Sequence, residues 1–127
     1  MIPFRAGIRA GAPLVMTAHI SAPAVTGSEV PSTLSRVVLQ EKLRGELGFK
    51  GVIITDAMEM GAITRQYETK EACILALEAG VDILLCVKDY PFCFEAVLSA
   101  VQDGRLSEAR LDESVRRILR LRRSIAR

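Results

Sequence analysis

The chain has 127 residues, of which 50% are hydrophobic and 25% charged, a composition typical of one globular domain with its own core. Its formal net charge is +2, which is too small to indicate nucleic acid or an anionic membrane as a partner by overall electrostatic attraction. The apolar runs are too short to span a bilayer, and the amino terminus lacks the apolar core of a secretory signal. The three cysteines, Cys73, Cys86 and Cys93, lie in apolar surroundings and form no CxxC motif. We therefore expect them to be reduced packing residues of a cytoplasmic protein. We also expect the protein to bind no metal and no cofactor.

The first half of the chain predicts two helices and two strands. Apolar residues at helical spacing predict a helix over residues 2–10, and the apolar run PLVMTAHI at 13–20 predicts a buried strand. A loop rich in Pro, Ser, Thr and Gly follows. Ser35 is a candidate cap for a helix with leucines at steps of four that stops at Gly48, and GVIIT at 51–55 is the second strand.

The second half continues the alternation of helices and strands. KEACILALEAG at 70–80 predicts a helix, VDILLC at 81–86 a third strand, and residues 91–104 a helix with Pro91 in its first turn. Apolar strands separated by helices predict a parallel α/β sheet whose two outer strands would expose unpaired edges. The last predicted helix is amphipathic, with apolar residues Leu111, Val115, Ile118, Leu119 and Ile125.

Polar residues follow each predicted strand, where parallel α/β sheets carry their functional groups. His19 follows the first strand, Asp56 the second and Lys88 the third. Each has a structural alternative: a strand-end acid can cap a helix or bind a loop amide, and a single histidine is often a hydrogen-bonded structural residue. The neighbouring methionines, Met58 and Met60, are typical of packing beneath a loop.

Eight arginines lie between Arg105 and Arg127, and several of them share one helical face: Arg116, Arg120, Arg123 and Arg127. Acids interleave at the start of this helix, aromatic residues are absent from it, and the rest of the chain balances its charge. These features favour a solvated face, or one that docks on another domain, over a nucleic-acid site.

The segment LGFKGVIITDAMEMGAI at 47–63 resembles the nucleophile segment of glycoside hydrolase family 3, especially its beta-N-acetylglucosaminidase branch. There an LGFxGVxxTDxxxM pattern delivers an aspartate from the end of a barrel strand. Similar agreement runs in order through PFRAGIRAGAPLVMTAHI, STLSRVVLQEKLRGELGF, EACILALEAGVDILL and RLSEARLDESVRRILRLR. The resemblance implies that residues 1–127 form part of a (β/α)8 TIM barrel, about its last three β/α units with the closing helices.

On this resemblance Asp56 matches the nucleophile of a retaining glycosidase, which attacks the anomeric carbon and stabilises an oxocarbenium-like transition state. The implied substrate is a carbohydrate with a terminal beta-linked N-acetylglucosamine, of the muropeptide or chitin kind found in peptidoglycan turnover. His19 and Met60 are the candidate substrate-binding residues. Ala57 after the nucleophile, and the absence of Trp, favour this branch over the beta-glucosidase type, which stays an alternative.

The branch takes its acid/base from an Asp–His pair on a loop that precedes the segment matched by Met1, and most of its sugar-binding residues also lie there. This chain has no KHFPGHG-like stretch, and His19 is its only histidine. We therefore expect a C-terminal fragment of a catalytic barrel, inactive or nearly so alone, which pairs with a missing N-terminal half or self-associates. Alternatives of another class are a receiver-like signalling module that uses Asp56 and Lys88, or a non-catalytic half-barrel partner.

Overall fold

A small parallel sheet forms the centre of the fold in the computed structural model, which describes residues 1–126. Its strands are β1 (Leu14–Met16), β2 (Val52–Ala57) and β3 (Ile83–Leu85), in the order β1-β2-β3. Leu14 of β1 lies opposite Val52 of β2, and both strand pairs are parallel. The prediction of a three-stranded parallel α/β sheet is confirmed, while its membership of a partial barrel stays a prediction.

Helices precede, connect and follow the strands, as the alternating pattern predicted. A short helix at Pro23–Thr26 lies inside the predicted loop, and another at Gly61–Thr64 lies where no helix was predicted. No helix within residues 1–126 combines the length and the apolar character needed to cross a membrane. The helical elements are α1 (Ile2–Arg9), α2 (Pro23–Thr26), a 3₁₀ turn (Ser32–Leu34), a π-helix (Val37–Glu46), α3 (Gly61–Thr64), α4 (Thr69–Ala79), α5 (Tyr90–Gln102) and α6 (Glu108–Ile125).

The helix between β1 and β2 is a π-helix, although its leucines are spaced by four. Its hydrogen bonds span five residues, as in the bond from the Leu47 N–H to the Lys42 carbonyl at 2.9 Å. A step of four fits this geometry as well as an α-helix, so the periodicity predicted a helix but not its type. The Ser35 hydroxyl accepts a hydrogen bond from the Val38 N–H at 3.4 Å, which agrees with its predicted capping role.

Gly80 ends α4 and allows α4 to lie against the π-helix. Its φ of +117° belongs to the left-handed region, and a Cβ built there would lie 1.8 Å from Nε2 of Gln40. The same Gln40 amide donates a hydrogen bond to the Ala79 carbonyl at 3.4 Å. The backbone conformation favours glycine at the turn into β3, and a larger residue would also displace the Gln40 side chain.

The core lies between β2, the π-helix and α4, where the largest fully buried side chains include Phe49, Leu39 and Ile53. Cys73 and Cys93 are buried between α4 and α5, which confirms their packing role. Cys86 is exposed, so the same prediction is wrong for it. It lies just beyond β3, where the apolar strand has ended and no helix covers the chain.

Strand β1 is confirmed as a strand but is not buried. Leu14 is 37% exposed and Met16 is 50% exposed. The reason is topological, since β1 is an outer strand that pairs only with β2 within residues 1–126. A short apolar run predicts a buried strand only when both of its faces and both of its neighbours are covered.

Helix α6 is anchored by polar groups and by part of the predicted apolar stripe, since Leu111 packs against the cluster of Ile74 and Leu77. Three apolar positions of that stripe are exposed, namely Val115, Leu119 and Ile125. The inward face also presents Arg110, Ser114 and Arg117, whose spacing puts them on one side of a helix. Arg127 of the predicted arginine face lies outside the described residues.

Asp82, immediately before β3, is the partner of this inward face. Its carboxylate accepts hydrogen bonds from the Ser114 hydroxyl at 2.6 Å, Arg117 at 2.7 Å and Arg44 at 2.8 Å. Arg110 lies 3.9 Å away and donates to the Val81 carbonyl. Burial lowers the pKa of Arg44 and Arg110 from its ordinary value, and the nearby Asp82 charge opposes that shift.

Candidate active site

Asp56 lies one residue before the end of β2, at the carboxyl edge of the sheet. Its own N–H donates to the Thr17 carbonyl at 3.2 Å, which ties this position to the chain that follows β1. One carboxylate oxygen, Oδ1, accepts a hydrogen bond from the Ala57 N–H at 2.8 Å. The side chain is half-buried, so it is fixed on a rigid strand and still reaches the surface.

The pairing of β2 with β3 is irregular at this position. Ile54 pairs with Ile83, and the next aligned pair is Ala57 with Leu85, so the register shifts across Asp56. Within this shift the Leu85 N–H donates to the hydroxyl of Thr55 at 2.9 Å in place of a backbone carbonyl. Such irregularities bend a strand and change the direction of its side chains, and they are frequent beside active sites.

His19 contacts the residue that follows Asp56. Its Nδ1 lies 2.8 Å from the hydroxyl of Thr33, and its Nε2 lies 3.0 Å from the Ala57 carbonyl oxygen. A carbonyl oxygen only accepts hydrogen bonds, so Nε2 is the donor. The Thr33 hydroxyl also lies 2.9 Å from the hydroxyl of Thr17. His19 is therefore a hydrogen-bonded residue beside Asp56, with partners at both ring nitrogens.

Thr17 and Thr33 belong to this cluster, and sequence reasoning did not identify either of them. Both side chains are buried, with Thr33 fully so. They lie 16 positions apart in the chain, and Thr33 sits in a loop whose composition predicted only irregular structure. A signal for their pairing with His19 is absent from the sequence, because the contact forms only when the loop folds back over the end of β1.

The two methionines after Asp56 differ in environment. Met58 is fully buried, which confirms its packing role, while Met60 is 43% exposed, so the packing prediction is wrong for Met60. The carbonyl of Met60 accepts hydrogen bonds from Ile63 and Thr64 and so begins α3. The Met60 side chain is thus exposed on the loop between β2 and α3.

Lys88, the strand-end cation after β3, is exposed and makes no ion pair with Asp56, both residues being within the described part of the chain. The loop around it contains two residues with left-handed backbone, Cys86 at φ +46° and Asp89 at φ +53°. Side chains other than glycine rarely adopt this conformation. The structure therefore brings His19 close to Asp56 but gives Lys88 no contact with it.

The carboxylate of Asp56 is half-buried near the carboxyl end of β2. A cavity of about 440 Å³ is lined by other residues, among them Phe49, Arg117 and Arg120. A second, of about 460 Å³, lies beside Thr69 and Phe92. Across residues 1–126, no group of three or more His, Cys, Asp or Glu side chains could hold a metal ion.

The parallel sheet and the carboxylate near the end of β2 are typical of one class of α/β proteins. Proteins of this class carry their functional groups at the carboxyl ends of the strands. Residues 1–121 match the family described as "Glycosyl hydrolase family 3 N terminal domain". The chain belongs to this family, and its resemblance to glycoside hydrolase family 3 is confirmed.

Several known proteins similar to this chain are named beta-N-acetylglucosaminidases or beta-hexosaminidases. A glycoside hydrolase family 3 beta-N-acetylglucosaminidase from Paenibacillus sp. str. FPU-7 has a solved structure that is 45% identical, with a TM-score of 0.89 over 95% of this chain and 24% of that chain. Beta-hexosaminidase A from Pseudoalteromonas piscicida is 32% identical over 96% of this chain and 24% of its own length. A beta-N-acetylglucosaminidase/beta-glucosidase from Cellulomonas fimi is 30% identical over 98% of this chain and 24% of its own length.

The chain therefore spans about a quarter of the length of these relatives. The similarity extends over nearly all of the chain, and the three-dimensional likeness includes the sheet and its helices. Membership of this family replaces the receiver-like alternative, because the match covers the whole segment from α1 into α6.

Proposed function

We propose that this chain supplies the nucleophile of a retaining beta-N-acetylglucosaminidase, with Asp56 as the attacking carboxylate. The observation that carries the proposal is the position of Asp56, which lies at the carboxyl end of β2 within the family-matched segment and is held there by its neighbours' backbone. A strand end holds a reacting group within the narrow tolerance that covalent catalysis needs.

In this proposal the two oxygens of Asp56 have different tasks. Oδ1 is held by the Ala57 N–H at 2.8 Å, which leaves Oδ2 to attack the anomeric carbon of the sugar. The bond from that carbon to Oδ2 forms as the glycosidic bond breaks, and the leaving oxygen takes a proton from the general acid. A water molecule then attacks the same carbon, the ester to Asp56 breaks, and the carboxylate is regenerated.

The general acid and base comes from a different segment in this proposal. A retaining enzyme needs a second group that protonates the leaving oxygen and later deprotonates water. His19 is not suited to that role, since Nδ1 faces Thr33 and Nε2 donates to the Ala57 carbonyl. The isolated 127-residue chain is therefore expected to hydrolyse glycosides at trace rates or not at all.

His19 and Met60 have different roles beside Asp56. His19 holds the Ala57 carbonyl at 3.0 Å, and thus acts as a positioning residue for the strand end and not as a direct sugar ligand. Met60 is exposed on the following loop and is the better candidate for contact with the sugar. This division refines the expectation that both residues bind substrate.

The substrate proposed is a carbohydrate with a terminal beta-linked N-acetylglucosamine. The support comes from the names of the relatives from Paenibacillus and Pseudoalteromonas, and from the alanine that follows Asp56. A beta-glucosidase activity is the second candidate, because the Cellulomonas relative carries both activities in its name.

A segment exchange tests the nucleophile without requiring activity from the chain alone. Residues 1–121 replace the matching segment of the Paenibacillus enzyme, and the product is assayed on chromogenic N-acetylglucosaminide and glucoside. We expect turnover that Asp56→Ala lowers by several orders of magnitude and that azide restores in Asp56→Gly. The matched control is Glu59→Gln, an exposed acid three positions later, which should retain activity. Full activity in the Asp56→Ala exchange would remove the nucleophile assignment.

The purified chain by itself tests the second part of the proposal. No turnover of either chromogenic substrate is expected. Clear turnover that is lost in Asp56→Ala would show that the acid/base lies within this chain, which contradicts its proposed origin in another segment.

A further inference from the structure

Thr33 is fully buried beside the candidate active site, although it belongs to the segment between β1 and the π-helix. Its hydroxyl lies 2.8 Å from Nδ1 of His19 and 2.9 Å from the hydroxyl of Thr17. The Ala18 carbonyl oxygen lies 3.2 Å away. A hydroxyl has one proton to donate and two lone pairs that accept, so these neighbours hold Thr33 from several sides.

Two further hydrogen bonds connect the Thr33 hydroxyl to Asp56. Nε2 of His19 donates to the Ala57 carbonyl at 3.0 Å, and the Ala57 N–H donates to Oδ1 of Asp56 at 2.8 Å. A buried hydroxyl, an imidazole ring and one backbone residue thus form a continuous row of contacts that ends at the carboxylate. A change at Thr33 can therefore reach Asp56 without a direct contact between them.

The peptide unit between Ala57 and Met58 is held at both of its ends. Its carbonyl oxygen accepts from Nε2 of His19 and from the Met60 N–H at 3.1 Å. Its N–H donates to the Leu85 carbonyl in β3 at 2.9 Å. Two of these three bonds come from the backbone, and the third depends on the direction of the His19 ring.

The direction of that ring depends on Thr33. Rotation of an imidazole about its bond to Cβ has broad energy minima, so hydrogen bonds and packing decide where the ring points. The Ala57 carbonyl holds Nε2, and the Thr33 hydroxyl lies nearer to Nδ1, at 2.8 Å, than to the Ala18 carbonyl, at 3.2 Å. Without the hydroxyl, only the bond at Nε2 resists rotation of the ring.

Thr17 supports this arrangement with two different groups. Its hydroxyl pairs with the hydroxyl of Thr33, and its carbonyl accepts the Asp56 N–H at 3.2 Å. The contacts therefore form a closed circuit that returns to the backbone of Asp56. The circuit consists of Thr17, Thr33, His19, Ala57 and Asp56.

We propose that Thr33 is a positioning residue for the Asp56 carboxylate in glycoside hydrolysis, an inference that rests on the function proposed above. Its hydroxyl fixes the His19 ring, the ring fixes the peptide unit after Ala57, and this unit fixes the direction in which Asp56 presents Oδ2. A misplacement of about 1 Å in a reacting group can lower the rate about a hundredfold. Thr33 therefore acts on the chemical step and not on the binding of the sugar.

The first test uses the segment exchange with the Paenibacillus enzyme. Thr33→Val keeps the branched shape and removes the hydroxyl, so kcat should fall about ten- to hundredfold while KM changes less than about threefold. Thr33→Ser keeps a hydroxyl and should restore most of kcat. The matched control is Thr26→Val in the same segment, which removes a hydroxyl bound to the Ala22 and Ser28 carbonyls and should leave kcat unchanged.

The second test uses the 127-residue chain itself and requires no activity. The ¹³C resonance of the Asp56 carboxyl group, assigned with Asp56→Asn, should move in Thr33→Val and stay in place in Thr33→Ser and Thr26→Val. Thr17→Val weakens the hold on Thr33 without altering Thr33 itself, so it should move the resonance in the same direction by a smaller amount.

The outcomes separate this proposal from the nucleophile assignment. Native kcat in Thr33→Val, in an exchange that Asp56→Ala inactivates, overturns the positioning role. An Asp56 resonance that both Thr33→Val and Thr17→Val leave in place overturns it too, as does a Thr33→Ser variant as impaired as Thr33→Val. Activity that survives Asp56→Ala instead overturns the nucleophile assignment.

Discussion

His19 and Ala57 are joined by a hydrogen bond across 38 positions of the chain, with 3.0 Å between Nε2 and the carbonyl oxygen. The same Ala57 donates its N–H to Oδ1 of Asp56 at 2.8 Å. One residue therefore connects the histidine after the first strand to the carboxylate at the end of the second. The candidate site is held by this connection as well as by the pairing of the strands.

The direction of the His19 hydrogen bonds predicts its neutral tautomer. Because the Ala57 carbonyl accepts from Nε2, the neutral ring should carry its proton on Nε2. Nδ1 then competes with the Ala18 carbonyl, which lies 3.2 Å from the Thr33 hydroxyl, for the single proton of that hydroxyl. Long-range ¹H–¹⁵N NMR spectra of the imidazole should show this form, and the assignment is direct because the chain has a single histidine. A proton on Nδ1 would contradict the hydrogen-bond scheme.

Replacing His19 by Phe should destabilise the protein. The change removes two hydrogen bonds, but the Ala57 carbonyl keeps the Met60 N–H and the Thr33 hydroxyl keeps Thr17 and Ala18 as partners. The cost should therefore be that of ordinary hydrogen bonds, about 0.5–1.5 kcal/mol for each bond lost. Urea unfolding at a fixed protein concentration measures the effect. Met60→Ala, at an exposed position of the same loop system, is the control and should change the free energy of unfolding by less than about 0.5 kcal/mol.

Asp82 should be among the residues most sensitive to substitution. Asp82→Asn removes the charge on which Arg44 and Arg117 converge, and uncompensated buried charges cost about 3–5 kcal/mol. The loss should appear as a lower urea midpoint. Asp112→Asn breaks an exposed ion pair with Arg116 in α6 and should leave the midpoint nearly unchanged. Equal effects of the two substitutions would mean that Asp82 does not anchor α6.

The cysteines should differ in reactivity and in their effect at high pH. Burial raises the pKa of Cys73 to about 12, with Cys93 adding to the shift. A pKa raised in the folded state favours folding below the ordinary value of 9.0, and this contribution is lost as the pH rises from 9.0 towards 12. Stability should therefore fall across this alkaline range. Iodoacetamide at pH 8 should modify exposed Cys86 rapidly and Cys73 only on unfolding, as peptide mass spectrometry can show.

A substitution separates the alkaline effect of Cys73 from that of other groups. Cys73→Ala should flatten the decline in the free energy of unfolding between pH 9.0 and 12, although it lowers the value at neutral pH by leaving a small cavity. Cys86→Ser is the matched control and should leave the decline as it is in the native chain. An unchanged slope in Cys73→Ala would show that another group causes the alkaline loss.

The sequence by itself determined the order of helices and strands, because their signals are local. Helical spacing, the proline in the first turn of α5, and Gly80 at the end of α4 all act within a few residues, and the structure has each of these elements. The sequence also predicted that Asp56 lies at a strand end, because the apolar run of β2 stops there.

Tertiary structure alone decided which polar groups meet and which apolar groups stay uncovered. Thr33 reaches His19, and Asp82 reaches Arg117, across 14 and 35 positions, and neither pair has a periodic signal in the chain. The inward face of α6 combines Leu111 with polar groups that bind the buried Asp82 carboxylate, so the amphipathic pattern identified only part of that face. Met16 of β1 is exposed for a related reason, because burial depends on neighbouring strands and not on the hydrophobicity of the residue itself.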